Sequence, residues 1–273
     1  MRIILLFFLL MFQPLFGMKA DWDKLIKAIE TDVSSNKLSV VQSIVPFKIK
    51  VSATTFGKKT PLSMAIFHNK FEIACYLARE LNKEENAYNT LNDQKQFTSI
   101  GPVNFYEKQA PFYEFTNFYY APIMIDHKLW PTTEHYFQAQ KFTDQQIQEE
   151  IRLSLTPRNA FDLANKTYKN KVRSDWKTVN VDVMQKVLPY KFKQHENLKQ
   201  LLLKTNNRTI VEHTKNDTFW GDGGDGSGKN MLGKLLMEVR ATLQVPVSSA
   251  TAPLQKSLES LKNNLEKLQK ALI

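Results

Sequence analysis

The chain has 273 residues, with 37 Lys or Arg against 27 Asp or Glu, a formal net charge of +10 and one cysteine. Its length suits one large domain, or a medium domain with an appendage, around a substantial core. The positive balance points to anionic partners: nucleotides, nucleic acid or a membrane surface. The single Cys75 excludes an intrachain disulfide and any cysteine-rich zinc site, and its place on an apolar helix face predicts a buried structural thiol rather than a nucleophile.

Residues 1–17 read as a secretory signal peptide: Arg2, an apolar run over 3–12, then Pro14 and Gly17. The competing start is Met18, with MKADWDKL opening a cytoplasmic chain, so export and cytoplasm both stay open. Over 20–82 the apolar spacing is helical, through Leu25, Ile26 and Ile29, then Leu38, Val41, Ile44 and Val45. GKKTPLSMA at 57–65, leading into Ile73, Leu77 and Leu81, resembles an ankyrin repeat with Ser63 where such repeats carry His. With residues 21–45 read as a degenerate first copy, two copies are too few for an independent solenoid. The segment should therefore pack on the next domain, as a protein-partner surface or as a helical cap. Residues 83–101 are polar, lack apolar periodicity and read as a linker.

The domain over 102–244 opens with an aromatic-rich stretch. Asp126-His127 reads as a turn after an apolar run, and Thr132 or Thr133 is placed to cap a helix running to about Phe142. That helix brings Glu134, Gln138 and Lys141 to one side. A carboxylate, an amide and an ammonium in line beside aromatic walls suit a sugar and a phosphate. The same spacing also describes an ordinary amphipathic helix with Glu favouring the dipole and Lys in water. Helices follow over 145–155 and 157–164, then a long helical region over 175–204 interrupted near Pro189. Residues 166–204 hold ten Lys or Arg against three acids. Thr209-Ile210-Val211 is a strand candidate, and a last helix runs over 227–243. Beyond a Ser/Ala-rich linker, Leu254, Leu258, Leu261, Leu265, Leu268 and Leu272 form a coiled-coil seam over 254–273, read as a homo-oligomer contact or a helix folded back on the domain.

Five glycines fall within residues 221–228, ahead of that last helix. Their amides would suit a phosphate at a helix start. Residues 223–229 also fit the nucleotide-triphosphatase pattern G-x-x-x-x-G-K. Asn230 in place of the magnesium-binding Ser or Thr, and no buried strand before the loop, exclude that reading.

FTNFYYAPIMIDHKLWPTTEHYFQAQKF, the DWK around Trp176, Lys191-Phe192 and VEHTKNDTFWGDGGDGSGKNMLGKLLMEVR together resemble the NADAR family, YbiA type, over residues 103–243. The core is accordingly read as an α-rich α+β domain. The resemblance implies an N-glycosidase that hydrolyses a ribosyl C–N bond. Its substrate would be either a phosphorylated ribosylamine intermediate of riboflavin biosynthesis or ADP-ribose on guanine in nucleic acid. The family's functional residues fall on Glu134, Trp176, Asp217 and Trp220. Glu134 would stabilise an oxocarbenium-like state or activate water. Asp217 would bind ribose hydroxyls, orient Glu134 or act as second carboxylate, while Trp176 and Trp220 would wall the sugar or stack on the base. Lys141, Arg173 and Lys229 are phosphate donors by charge and position, with the amides of Gly221 and Gly223 beside them. No cofactor is expected, and His127, His135, His195 and His213 sit in no metal-ligand spacing. The rival reading is a non-catalytic ADP-ribose-binding interaction protein that meets partners through the ankyrin-like segment and the leucine seam.

Overall fold

The computed structural model describes residues 24–30, 38–39, 41–43, 52, 59–85 and 87–244. The signal-peptide reading of 1–17 and the coiled-coil reading of 254–273 lie outside them.

The first helices, α1 (Pro61–Phe67) and α2 (Phe71–Glu84), start for a local reason. The Thr60 hydroxyl accepts the Ser63 amide at 3.1 Å and the Ser63 hydroxyl accepts the Thr60 amide at 2.9 Å, a reciprocal cap with Pro61 in the first turn. Ser63, which departs from the ankyrin pattern, thus closes the cap. These helices bury Leu62, Ile66, Leu77 and Ala78 together with Leu25 and Ile29, and the cluster extends to Tyr120 and Leu129 of the following domain. Polar bonds cross the same seam: Asn82 Nδ2 donates to the Tyr120 carbonyl at 2.9 Å, and Arg152 Nη1 donates to Ile66 and Leu129 carbonyls at 3.1 and 2.8 Å.

The polar stretch read as a linker is anchored rather than free. It holds the short helix α3 (Lys95–Thr98) and the fully buried Thr90, whose amide and hydroxyl donate to the Glu114 carboxylate at 2.7 and 2.8 Å. Buried hydrogen bonds hold this segment, so a search for apolar periodicity passes over it.

After β1 (Val103–Phe105) come β2 (Ile123–Ile125) and β3 (Lys128–Trp130), then α4 (Thr133–Ala139), α5 (Gln145–Arg152), α6 (Pro157–Asp162), α7 (Trp176–Gln194), α8 (Glu196–Lys204), β4 (Ile210–Glu212) and α9 (Met231–Gln244). The described residues are therefore helix-rich, with two two-stranded sheets. β2 and β3 form a hairpin whose turn residues Asp126 and His127 take φ of 51° and 60°, the left-handed pair that matches strand twist. β1 pairs parallel with β4, Val103 opposite Ile210 and Phe105 opposite Glu212. Phe105, Phe115, Ile123, Phe142, Phe192, Leu201 and Leu236 fill the core between these sheets and helices.

Two boundaries differ from the sequence reading. α7 runs through Pro189 and breaks instead at His195, which is extended. Pro189 forfeits a bond to Gln185, an exposed residue open to water. His195 shares a 2.7 Å hydrogen bond with the Pro122 carbonyl, which pins the break to the chain entering β2. The last helix starts at Met231 rather than 227, because Asn230 is left-handed at φ 48° and works as a strand partner. Its side chain accepts the Glu212 amide at 3.0 Å and donates to the Ile210 carbonyl at 2.8 Å. The next turn passes so close that a Cβ on Gly233 would lie 2.1 Å from the Ile210 carbonyl oxygen. Elsewhere, burial pushes the Cys75 thiol up to about 12, so the reactive thiolate is scarce near neutral pH.

Candidate active site

α4 is buried along its whole length, polar residues included. Its first turn is held by neighbours. The Thr132 hydroxyl accepts the His135 amide at 3.3 Å, and the Glu134 amide donates to the Asn117 carbonyl at 3.1 Å. His135 bridges the Thr132 hydroxyl and the Ser154 carbonyl, and burial holds its imidazolium down to about 3, so it is a neutral strut.

Beside this helix lies a cleft of about 750 Å³, a size suited to a small ligand. Glu134, Gln138 and Lys141 all line it, and each is under a tenth exposed, which settles their facing inward. Gln138 Nε2 donates to Glu134 Oε1 at 2.7 Å, Asn165 Nδ2 to Gln138 Oε1 at 3.2 Å, and Lys141 Nζ to Asn165 Oδ1 at 2.6 Å. Burial pushes the Glu134 carboxyl up to about 7, against the Gln138 bond and the charges of Lys141 and Arg158. Burial likewise lowers the Lys141 ammonium, with Glu134 opposing.

Asp217 lines the same cleft. Its Oδ1 accepts the amides of Phe219 and Trp220, both at 2.7 Å, which turns the chain so that Trp220 meets Phe137 edge-on at 5.4 Å. Trp176 approaches the same ring at 5.0 Å, so Phe137 sits between two indoles in one aromatic wall. The Lys141 ammonium lies 5.8 Å above the Trp176 ring.

Four expected ligands lie elsewhere. Arg173 pairs with Asp175 at the surface through bonds of 2.5 and 2.7 Å, and Lys229 lies 5.2 Å over Phe219; neither lines the cleft. Gly221 and Gly223 also stand off it, because the glycine loop closes on itself. The amides of Gly223, Gly224 and Gly228 donate to Asp217, to the Asp222 side chain and to the Asp222 carbonyl, so they are spent inside the loop. At Gly221 a Cβ would lie 2.8 Å from the Asp217 carbonyl and 2.9 Å from that of Glu212, so glycine serves close packing there.

Several cleft residues escaped the sequence reading, among them Arg158 and Glu212. Arg158 lies 5.5 Å over Phe118 and 5.2 Å over Phe161, placing a guanidinium where Arg173 and Lys229 were expected. No periodicity marks it. Glu212 ends β4, with Oε2 buried and without a hydrogen-bond partner; burial and then the charge of Asp217 push its carboxyl up to about 8. Two-residue alternation from buried Ile210 was the available signal. Thr116 Oγ1 and Asn180 Oδ1, also on cleft residues, are buried without partners too. Such atoms suit a bound ligand.

Glu134, Glu212 and Asp217 against an aromatic wall, with the cations Lys141 and Arg158 on the same cleft, are the equipment of a glycosyl hydrolase. Comparison with known proteins agrees. A NADAR domain matches residues 104–244. The N-glycosidase YbiA of Escherichia coli is 48% identical over 143 residues, covering 52% of this chain and 89% of the relative. An NMR structure of that protein aligns with a TM-score of 0.49 over 52% of this chain and 84% of its own. An N-glycosidase of Nostoc punctiforme is 37% identical over 145 residues, 52% of this chain and 92% of the relative. A riboflavin biosynthesis protein of Vibrio vulnificus is 39% identical over 158 residues, 58% of this chain and 43% of the relative. The chain belongs to the NADAR family and is an N-glycosyl hydrolase.

Proposed function

We propose that this cleft hydrolyses the C1′–N bond of a phosphorylated ribosylamine of the riboflavin-intermediate type. The observation that carries the reading is Glu134: a buried carboxyl with a proton affinity near neutrality, facing the same hollow as Asp217 and both tryptophans. As a carboxylate it takes a proton from the attacking water and offsets positive charge on C1′ as the bond lengthens. Asp217 acts first as a positioning residue, since its Oδ1 fixes Trp220, and its Oδ2, without a protein partner among the described residues, is left for ribose hydroxyls. Trp176 and Trp220 stack on the leaving group and exclude water. Lys141 and Arg158 take the phosphate. The substrate class is supported by the cleft's size and by the riboflavin biosynthesis protein among the relatives.

The +10 charge favours a second substrate, ADP-ribose on guanine in nucleic acid. We read the ankyrin-like segment as a helical cap, because its buried face is shared with Tyr120 and Leu129. The deciding assay presents the full chain with a phosphorylated ribosylaminopyrimidine and, separately, with ADP-ribosylated guanine in DNA. Release of ribose 5-phosphate from the first is expected. Turnover of the second alone would replace the riboflavin-type substrate.

A further inference from the structure

Breaking a ribosyl C–N bond leaves an electron pair on nitrogen, and an amine or base departs slowly unless that nitrogen is protonated as it leaves. The cleft must therefore contain a proton donor as well as a base. Resting on the glycosidase reading above, we propose that Glu212 is the general acid that protonates the departing nitrogen.

The geometry separates Glu134, Asp217 and Glu212 by what surrounds them. Glu134 accepts a hydrogen bond from Gln138 and feels Lys141 and Arg158, all of which favour its carboxylate. Asp217 Oδ1 receives two backbone amides, which require an acceptor. Glu212 has neither kind of support. Its Oε2 is buried and unpartnered, no side-chain hydrogen bond reaches it among the described residues, and the charges facing it are those of Asp217, Glu134 and Asp222. Across the sheet it meets apolar Phe105, and the adjacent His213 is occupied by Asp222 at 2.7 Å. A carboxyl among acids, without a donor or a cation, keeps its proton. Its backbone is fixed as well: the amide donates to Asn230 Oδ1 at 3.0 Å and the carbonyl accepts the Asp222 amide at 3.0 Å. Burial raises both carboxyls, but the neighbouring groups favour the carboxylate at Glu134 and the acid at Glu212, which divides base from acid in one cleft.

The step balances. The C1′–N bond breaks, its electrons stay on nitrogen, and nitrogen takes the Glu212 proton. Water oxygen bonds to C1′ and gives its proton to Glu134. Release of that proton to solvent and uptake of one by Glu212 restore the starting state, with nothing oxidised or reduced.

In the full-length protein, Glu212→Gln preserves shape and removes the transferable proton. Turnover of the phosphorylated ribosylaminopyrimidine is expected to fall roughly 10²–10⁴-fold, with loss of the alkaline limb expected in wild-type kcat/KM near pH 8. A variant within about threefold of wild type, or a slow one that keeps that limb, overturns the assignment. Should the Gln variant not fold, Glu212→Asp retains an acid; recovery of at least about a tenth of wild-type kcat supports the role, and a deeper loss overturns it. A readout independent of turnover is the ¹³C-carboxyl NMR titration of the glutamate-labelled full chain, assigned by the signal missing from either variant. A midpoint above neutral is expected, whereas one at an ordinary carboxylate's position overturns the acid role. Failure of wild type to cleave this substrate, with the midpoint still high, would sink the substrate reading and leave Glu212 as the acid.

Discussion

Glu134→Gln should make the protein more stable and inactive at once. The carboxyl rises from the ordinary 4.5 to about 7 on folding. Each tenfold change in proton affinity is worth about 1.4 kcal/mol, so its ionised form costs the fold about 3 kcal/mol at most. For a raised carboxyl the sign is fixed: its stability is whole below pH 4.5 and is lost as pH rises through about 7. Glutamine escapes that loss while its amide oxygen still accepts the Gln138 bond. Thermal unfolding at about pH 4 should therefore find the two proteins equal, and at about pH 8 should find the variant ahead by roughly 6–12 °C, using about 2–4 °C per kcal/mol for a chain of this size. Turnover should fall roughly 10²–10⁴-fold in the same preparation. A variant no more stable at high pH than at low would refute the burial reasoning, and near-normal turnover would refute the catalytic role. Wild-type kcat/KM should describe a narrow bell, rising as the Glu134 and falling as the Glu212 carboxyl ionises, near pH 7 and 8.

Asp217→Ala strands the amides of Phe219 and Trp220. It should cost about 1–3 kcal/mol in urea unfolding, whereas Asp217→Asn, which keeps an acceptor oxygen, should unfold like wild type. Arg158→Ala should raise KM about tenfold with kcat little changed, the loss of one charged contact to phosphate. Arg173→Ala and Lys229→Ala, remote from the cleft, should stay within about twofold of wild type in steady-state kinetics. An equal KM effect from all three would contradict the observed cleft. Gly233→Ala forces a Cβ toward the Ile210 carbonyl, 2.1 Å away, and should lower stability by about 2–3 kcal/mol in chemical denaturation.

Local signals carried far into this site. Thr132 caps α4 as its sequence position suggests, and the spacing of Glu134, Gln138 and Lys141 places them on one side. Spacing alone left that side as suited to water as to a ligand; what decides is tertiary, since Asn117, Asn165 and Trp176 arrive from distant segments to enclose it. The parallel pairing of β1 with β4 joins three-residue strands a hundred positions apart and has no local trace. The glycine loop misled for a definite reason. Glycine density marks close backbone approach, and here the approaching partner is the loop's own backbone and that of β4. Arg173 and Lys229 failed because charge and chain position do not fix direction, and each found a nearer partner in Asp175 or Phe219.

Charges of both signs in this cleft are biased toward neutrality by burial, Glu134 and Glu212 upward and Lys141 downward. That bias lessens what binding must strip of water, since a neutral carboxyl or amine holds its hydration less tightly than an ion. In the reading proposed above, a substrate phosphate near Lys141 restores the ammonium charge that burial suppresses, and a positive C1′ does the same for the Glu134 carboxylate. The favourable interaction then grows with the charge that develops during bond cleavage, which selectively stabilises the transition state. Glu212 completes this arrangement from the opposite direction: its acidic neighbours raise its proton affinity at rest, and the nitrogen that becomes basic as the bond breaks is the acceptor the site lacks until then.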